Sequence, residues 1–184
     1  MKIGITGTHC TGKTSLAHAL MGTLKERGYN AGITREFVRE CPIPAGTEGR
    51  NSPTAQAWII GRQLIEEIEA ANSYEMVICD RTVIDNYAYF LWTLRTGMKA
   101  DPAIVQTVQD ILNNWAHSYD YLFKLPIATP LQPDGFRSTD PGWQREINSL
   151  IDQIIAERKL QINKIALAPN SQRVAEILKI LKLE

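Results

Sequence analysis

The chain has 184 residues, of which 44% are hydrophobic, and its 20 Lys and Arg residues balance 20 Asp and Glu residues. This length and composition are typical of one globular domain with its own core, and they exclude a disordered or fibrous chain. No apolar run is long enough to span a bilayer, and the balanced charge provides no overall basic field that would attract nucleic acid. We therefore expect a single domain over residues 1–184 and no membrane partner.

The cysteines and the amino terminus predict where the protein works. Cys10, Cys41 and Cys79 show no CxxC spacing and no histidines at metal-ligand intervals, so we expect reduced thiols. The amino terminus runs directly into an apolar strand-like segment, without a targeting signal. Both features predict a cytoplasmic protein. Whether it acts as a monomer or as a homodimer is left open by the sequence.

Residues 7–14 match the pattern GxxxxGK[ST], which is the most informative feature of the chain. The matching residues are Gly7, Thr8, His9, Cys10, Thr11, Gly12, Lys13 and Thr14. They lie between a predicted strand over 2–6 and a predicted amphipathic helix that begins at Lys13. In this context the glycines turn successive backbone N–H groups toward one anion, and the helix adds its positive end. The pattern predicts a nucleotide-binding phosphate loop that extends to Ser15.

Two residues of this loop have predicted roles in the chemistry. Lys13 is expected to reach the β- and γ-phosphates of ATP, and the Thr14 hydroxyl is expected to bind the Mg²⁺ that bridges them. Cys10 occupies a variable position of the loop, where we expect it to be structural. ATP and Mg²⁺ are therefore the expected cofactors.

The other predicted elements alternate between helices and strands along the chain. The first helix ends at Gly28. A later helix begins with Ser52 as its cap and Pro53 in its first turn, and its predicted stripe contains Trp58, Ile59, Arg62, Ile65 and Ile68. Further strands are predicted over 29–34, 76–79, 121–125 and 162–168, and further helices over 82–96, 102–116 and 171–183. Apolar residues at helical spacing from Ile147 to Ile155 predict one more long amphipathic helix. Five alternations of this kind predict an α/β domain with a parallel sheet covered on both faces.

Polar residues follow the predicted strands, at the edge of the sheet where such proteins bind ligands. Glu36 and Arg39 come after the second strand, and Asp80 and Arg81 come after the third. Asp80 is predicted to hold Mg²⁺ together with Thr14, the alternative being a carboxylate that caps the next helix. Glu36 is predicted to act as the base for an acceptor hydroxyl, with Asp80 as the rival base. The alternative for Glu36 is a solvated carboxylate.

Two arginines and one helix complete the predicted site. Arg137 and Arg145 flank an Asp-Pro step, and we expect them to close over the nucleotide on a lid over about residues 126–146 and to stabilise the charge of the transferred phosphoryl group. The alternative is that both pair with surface carboxylates. The acceptor pocket is predicted between the helix of Arg62 and Gln63 and the segment after Asp80, where Arg81 and Tyr87 would contact a base. Arg39 is also predicted to bind the acceptor.

The order of these motifs resembles that of the small P-loop kinases of the nucleoside and nucleotide kinase superfamily. The resemblance rests on the phosphate loop, the segments 35–40, 78–81, 119–121 and 134–137, and Gln172-Arg173-Val174. The chain is most similar to the group that contains the nicotinamide riboside kinase domain and phage ATP-binding proteins, while Asp80-Arg81-Thr82 is closer to thymidylate and deoxynucleoside kinases. The resemblance implies a three-layer P-loop kinase fold with a five-stranded parallel sheet and a lid segment. It also places Glu36 and Asp80 on the acceptor and metal side and Arg137 and Arg145 in the lid.

The identity of the acceptor stays open, and two other classes of function are alternatives to a kinase. A small nucleoside or nucleotide is favoured because the chain has no net positive charge, whereas the phage relatives make hydroxymethylated pyrimidine in DNA the alternative acceptor. A GTPase would need an NKxD motif to select guanine. Residues 163–166 begin as such a motif but have Ala166 in place of the aspartate. An ATP-binding regulatory module would need the loop but not Glu36, Arg137 and Arg145 together.

Overall fold

A computed structural model of the protein describes residues 1–43, 52–127 and 139–183. Within these ranges five strands alternate with six helices and one 3₁₀ turn at Ala116–Ser118. The strands are β1 (Lys2–Thr6), β2 (Ala31–Thr34), β3 (Met76–Asp80), β4 (Tyr121–Lys124) and β5 (Asn163–Lys164). The helices are α1 (Lys13–Glu26), α2 (Pro53–Ser73), α3 (Val83–Arg95), α4 (Pro102–Trp115), α5 (Pro141–Glu157) and α6 (Asn170–Leu181).

The strands form one parallel sheet in the order β2-β3-β1-β4-β5. This confirms the predicted α/β architecture with five parallel strands. β1 lies in the centre, and its residue Ile5 is in register with Asp80 of β3. The chain that follows β1 and the chain that follows β3 therefore leave the sheet side by side, which brings the phosphate loop next to Asp80.

Helices cover both faces of the sheet, as the three-layer prediction requires. α1 and α6 pack on one face over side chains such as Ile3, Ile5 and Phe123. The other face packs against α2, α3, α4 and α5. Successive residues of β3 serve the two cores in turn, because Met76 and Ile78 join the first and Val77 and Cys79 the second. None of the helices in the described part of the chain is both long and apolar enough to cross a membrane.

Most predicted boundaries agree with the structure to within two residues, but β5 was predicted too long. It was expected over 162–168, yet only Asn163 and Lys164 pair, in register with Phe123 and Lys124. β4 ends at Lys124, and among the described residues the pairing of the edge strand continues beyond that point only through the bond from the Ile165 N–H to the Lys124 carbonyl. The apolar run of β5 alone does not reveal where the neighbouring strand β4 ends.

The face that α2 buries also differs from the predicted stripe. Its cap is as expected, because the Ser52 hydroxyl accepts from the Ala55 N–H at 3.1 Å. Ile65 and Ile68, however, are 44% and 45% exposed, whereas Gln63 and Glu67 are buried. The apolar spacing predicted the helix correctly but its buried face only in part, because Gln63 and Glu67 have hydrogen-bond partners in the interior.

Candidate active site

The phosphate loop joins β1 to α1 through backbone conformations that favour glycine. Gly12 precedes α1 with a φ of 84°, in the left-handed region, and the Leu16 N–H donates to its carbonyl at 3.0 Å to begin the helix. Cys10 is also left-handed, with a φ of 58°. A left-handed residue between right-handed ones turns neighbouring N–H groups to one side, which is the geometry of an anion-binding nest.

Lys13 is buried inside this loop and helps to shape it. Its Nζ donates to the carbonyl oxygens of Gly7 at 2.8 Å and Thr8 at 2.7 Å. Burial lowers the pKa of Lys13 to about 7, and the nearby Arg81 charge acts in the same direction, while neighbouring carboxylates raise it. An anion beside Nζ would favour the protonated form, so the site gains from binding phosphate.

A cavity of about 90 Å³ lies between the phosphate loop and the ends of β2 and β3. Its lining residues are Cys10, Thr11, Gly12, Lys13, Thr14, Ser15, Glu36 and Arg81. The structure therefore brings together residues that the sequence placed after three different strands. Lys13 and Arg81 supply cationic groups to its lining, and Glu36 supplies a carboxylate.

Glu36 and Arg81 form an ion pair across this cavity. Arg81 donates to Glu36 Oε1 from Nε at 2.7 Å and from Nη2 at 2.6 Å. Burial opposes the guanidinium charge, but neighbouring anionic groups, Glu36 foremost, raise the pKa of Arg81. Arg81 therefore remains cationic. Its backbone has a φ of 85°, an uncommon conformation for a residue with a side chain.

Asp80 and Thr14 fit the predicted magnesium site. Asp80 ends β3 and is 5% exposed, and its Oδ1 is a buried atom without a hydrogen-bond partner among the described residues. Thr14 is exposed at the cavity. Within residues 1–43, 52–127 and 139–183 no cluster of three or more His, Cys, Asp or Glu side chains could hold a metal. Mg²⁺ does not need such a cluster, because it binds through one or two protein oxygens together with substrate phosphates and water.

Asp85 is a functional candidate that the sequence analysis did not identify. Its Oδ1 accepts from the Thr82 N–H and the Thr6 hydroxyl, each at 2.9 Å, and from the Thr82 hydroxyl at 2.5 Å. Burial raises the pKa of Asp85, although Lys13 and Arg81 oppose that shift. The signal was present as Thr82-x-x-Asp85, the spacing of a capping box at a helix start. Asp85 thus ties the ends of β1 and β3 together under the cavity.

Helix α5 contacts the phosphate loop through residues that were also missed. Gln144 donates to the His9 carbonyl at 2.8 Å, and the Trp143 ring lies 4.8 Å from the His9 ring. On the other side, the His9 N–H donates to the Tyr89 hydroxyl at 3.0 Å. His9, predicted to bind nucleotide, is therefore packed between α3 and α5.

Arg145 does not reach the cavity. It is exposed on α5 and lines a separate groove with Trp92, Arg95 and Gly142. Its neighbour Gln144 faces the phosphate loop instead. Arg137 lies outside the described residues, as does most of the predicted lid, whose last residues from Pro141 onward form the first turns of α5.

The predicted acceptor residues have different surroundings. Gln63 is buried and uses both ends of its amide internally, donating to Glu67 and to the Arg81 carbonyl and accepting from Asn86. Tyr87 is 5% exposed and packs on Phe90 in the core, which does not favour a stacking role.

The two remaining acceptor candidates lie nearer the surface. The Arg62 guanidinium lies 5.1 Å from the ring centre of the buried Phe37, close to the end of β2. Arg39 is exposed two residues beyond Phe37. Of the predicted acceptor set, Arg81 and Arg62 are the best placed.

Arg173 of α6 also approaches the phosphate loop. It is 6% exposed, and its Nη1 lies 3.7 Å from the position that a Cβ at Gly12 would occupy. In the sequence, Gln172-Arg173-Val174 carries part of the family resemblance, and no role was predicted for Arg173. A buried cation next to the start of α1 adds to the positive character of the loop.

Comparison with known proteins agrees with this geometry. The family model described as "AAA domain" matches residues 2–173. No curated protein matches the chain significantly.

Several solved structures share the fold. Deoxyadenosine kinase from M. mycoides with bound dATP has 19% identity and a TM-score of 0.70, with 99% of each chain covered. The NadR protein in complex with NR has 17% identity and a TM-score of 0.73, covering 100% of this chain and 52% of that one. Thymidylate kinase from Ehrlichia chaffeensis has 19% identity and a TM-score of 0.67, with 98% of each chain covered. These similarities show the fold of P-loop nucleoside and nucleotide kinases over nearly the whole chain.

Proposed function

The chain belongs to the AAA domain family, and from that premise we propose that it is an ATP- and Mg²⁺-dependent phosphotransferase that acts on a nucleoside- or nucleotide-type acceptor. The observation that carries this proposal is the cavity in which the phosphate loop faces Glu36 and Arg81. A protein that only binds ATP would need the loop but not a carboxylate and a guanidinium opposite it. The kinases among the structural neighbours support the same reaction class.

The proposed roles of the phosphate-side residues follow from their positions. The loop N–H groups and Lys13 bind the β- and γ-phosphates, and Lys13 balances the charge that accumulates between them. Thr14 and Asp80 would hold Mg²⁺, which supplies charge neutralisation on the phosphate oxygens. Arg173 adds positive charge at the start of α1.

On the acceptor side, Glu36 and Arg81 act together. The acceptor hydroxyl gives its proton to a carboxylate, Glu36 being favoured over Asp80, while its oxygen forms a bond to the γ-phosphorus and the bond to the ADP oxygen breaks. Arg81 orients Glu36 through the ion pair and stabilises negative charge on the transferred group. For a phosphate acceptor no proton needs to be removed, and Arg81 would then bind the acceptor phosphate.

The setting proposed for this enzyme is the cytoplasm, with a small acceptor as its partner. All three cysteines are free thiols, which fits a reducing compartment. Arg62 borders the acceptor side near the end of β2, where its guanidinium lies over the buried Phe37 ring and offers a cation to a planar base. Modified DNA is the alternative acceptor, and one phosphate-transfer assay can distinguish it from a small acceptor.

The test is a phosphate-transfer assay with radiolabelled Mg·ATP. Its acceptor panel contains nucleosides, nucleoside monophosphates, nicotinamide riboside and hydroxymethyluracil-containing DNA. We expect label in one small acceptor, with none from a Lys13→Ala preparation made in parallel, which controls for contaminating kinases. Tight ATP binding without transfer to any acceptor would contradict the proposal and support a regulatory ATP-binding module.

A further inference from the structure

Glu67 is a buried carboxylate that the proposed chemistry does not use. It lies on α2 and is 0% exposed, yet four side chains donate hydrogen bonds to its two oxygens. Oε1 accepts from Gln63 Nε2 and from the Tyr119 hydroxyl, each at 2.8 Å. Oε2 accepts from Lys2 Nζ at 3.0 Å and from Trp115 Nε1 at 2.6 Å. Moving a charged carboxylate out of water costs free energy, which these hydrogen bonds offset. Its retention in the core calls for a specific role.

Both partners of Oε1 continue to the turn that carries Arg81. The second N–H of the Gln63 amide group donates to the Arg81 carbonyl at 3.1 Å. The Tyr119 hydroxyl accepts from the Val83 N–H at 3.0 Å. The two bonds hold the turn on both sides of Thr82, directly after the left-handed Arg81.

The carboxylate decides how these two groups are oriented. A tyrosine hydroxyl has one hydrogen. Because Tyr119 donates that hydrogen to Glu67, its oxygen is oriented to accept from the Val83 N–H. The Gln63 amide could rotate, but Glu67 requires its N–H₂ end, and Asn86 donates to its oxygen. Burial also raises the pKa of Tyr119 well above its ordinary value, so the hydroxyl keeps its proton.

We propose that Glu67 is a positioning residue that holds the Arg81 turn in its left-handed conformation through Gln63 and Tyr119. The inference rests on the proposed function, in which Arg81 contacts Glu36 and the transferred phosphate. A left-handed residue that bears a side chain persists only where its surroundings hold it, and such residues occur preferentially at functional sites. If the turn relaxes, the Arg81 side chain leaves from a different backbone angle and loses its alignment with Glu36.

Two aromatic substitutions around the same carboxylate test this proposal. Tyr119→Phe removes the Oε1 donor that continues to Val83, whereas Trp115→Phe removes an Oε2 donor that does not lead to the turn. We expect both variants to unfold at a lower temperature than the wild type. Only Tyr119→Phe should lower kcat, by about tenfold, with the KM for ATP unchanged.

A second readout is independent of any acceptor. The Arg81 Nε–H group, which is bonded to Glu36, gives a nitrogen-15 NMR signal whose hydrogen exchange can be followed below the melting temperature. We expect this exchange to be about tenfold faster in Tyr119→Phe and in Gln63→Met, and unchanged in Trp115→Phe.

The outcomes separate this proposal from the proposed function. Wild-type Arg81 exchange in both Tyr119→Phe and Gln63→Met would overturn it, and so would equal acceleration in Trp115→Phe, which would indicate general loosening. If no acceptor is phosphorylated by the wild type, the proposed function fails while the Arg81 signal still decides the role of Glu67.

Discussion

Glu36 and Arg81 follow different strands, yet both N–H contacts from the Arg81 guanidinium end on one oxygen of Glu36, Oε1. The side chain of Glu36 is 13% exposed and that of Arg81 is 9% exposed, so solvent screens this pair only weakly. The carboxylate predicted to act as a base therefore has a defined orientation beside the phosphate loop. Arg81, which was predicted to bind the acceptor, therefore also fixes the orientation of Glu36.

Glu36→Gln tests the base while retaining the shape of the pair. The amide oxygen can still accept from Arg81, but it cannot take a proton from the acceptor hydroxyl. We expect kcat to fall by about 10²-fold or more, with the KM for ATP nearly unchanged. Steady-state kinetics with the acceptor identified in the panel measure both.

The matched control is Glu40→Gln. Glu40 is exposed and pairs with Arg35 at 3.2 Å, away from the cavity, so its kinetics should equal those of the wild type. A Glu36→Gln enzyme with wild-type kcat would transfer the base role to Asp80.

The phosphate loop could be predicted in detail because its conformation is determined by residues that are consecutive in the sequence. Eight consecutive residues specify its turns, and Lys13 begins α1 as expected. Strand ends were equally informative, since Glu36, Asp80 and Arg81 follow apolar runs and a parallel sheet brings those ends to one edge.

Contacts between distant elements could not be predicted in this way. Gln63 and Glu67 look like solvent-facing residues of an amphipathic helix, and only the positions of Lys2, Trp115 and Tyr119 make their burial favourable. Likewise, nothing local distinguishes Gln144 from Arg145, whereas the docking of α5 turns the first toward His9 and the second into another groove.

Asp80→Asn tests the proposed magnesium ligand. The substitution keeps the volume of the side chain but removes the charge of a buried oxygen that has no protein partner in the described structure. We expect the Mg²⁺ concentration for half-maximal rate to rise by about 10- to 100-fold. Binding of metal-free ATP, measured by calorimetry, should be unchanged. Equal losses with and without Mg²⁺ would indicate a structural role for Asp80.

Asp85→Asn should affect stability rather than the metal requirement. Asp85 Oδ1 accepts three hydrogen bonds in a fully buried position, and an amide group there would direct N–H atoms at a donor or leave one unbonded. We expect the free energy of unfolding to fall by about 1–3 kcal/mol in urea titrations. Asp101→Asn is the control, because Asp101 caps the exposed start of α4 and asparagine caps a helix equally well. A similar loss in both variants would refute a special role for Asp85.

Lys13→Ala separates phosphate binding from folding. Lys13 shapes the phosphate loop through its hydrogen bonds to the Gly7 and Thr8 carbonyls, but its side chain belongs to neither hydrophobic core, so we expect the fold to survive its removal. We expect turnover to be lost and the Kd for ATP to rise by about tenfold or more, with cooperative thermal unfolding retained. Lys25→Ala, at an exposed position of the same helix, should bind ATP like the wild type. Unchanged ATP affinity in Lys13→Ala would contradict the assignment of the phosphate loop.

Arg62→Ala addresses the acceptor side. The Arg62 and Arg35 guanidinium groups lie 5.1 Å and 5.5 Å from the ring centre of Phe37, but the Arg35 side chain is 61% exposed and pairs with Glu40. If the acceptor binds between Arg62 and Arg81, removing Arg62 should raise the acceptor KM by about tenfold and leave the KM for ATP unchanged. Arg35→Ala should change neither value by more than about twofold, because exposed charges contribute little.

The salt dependence of the same reaction then distinguishes a small acceptor from DNA. A protein that grips duplex DNA neutralises several phosphates, so its apparent affinity falls by about 10³-fold or more between 50 and 200 mM salt, whereas a pocket for one nucleoside responds weakly. We expect the weak response, because 20 Lys and Arg residues are balanced by 20 Asp and Glu residues. Steep loss of activity with salt, together with transfer to hydroxymethyluracil DNA and to no free acceptor, would make DNA the substrate. The roles of Lys13, Glu36 and Asp80 would be unchanged by that result, since the phosphate loop and the ends of β2 and β3 serve either acceptor.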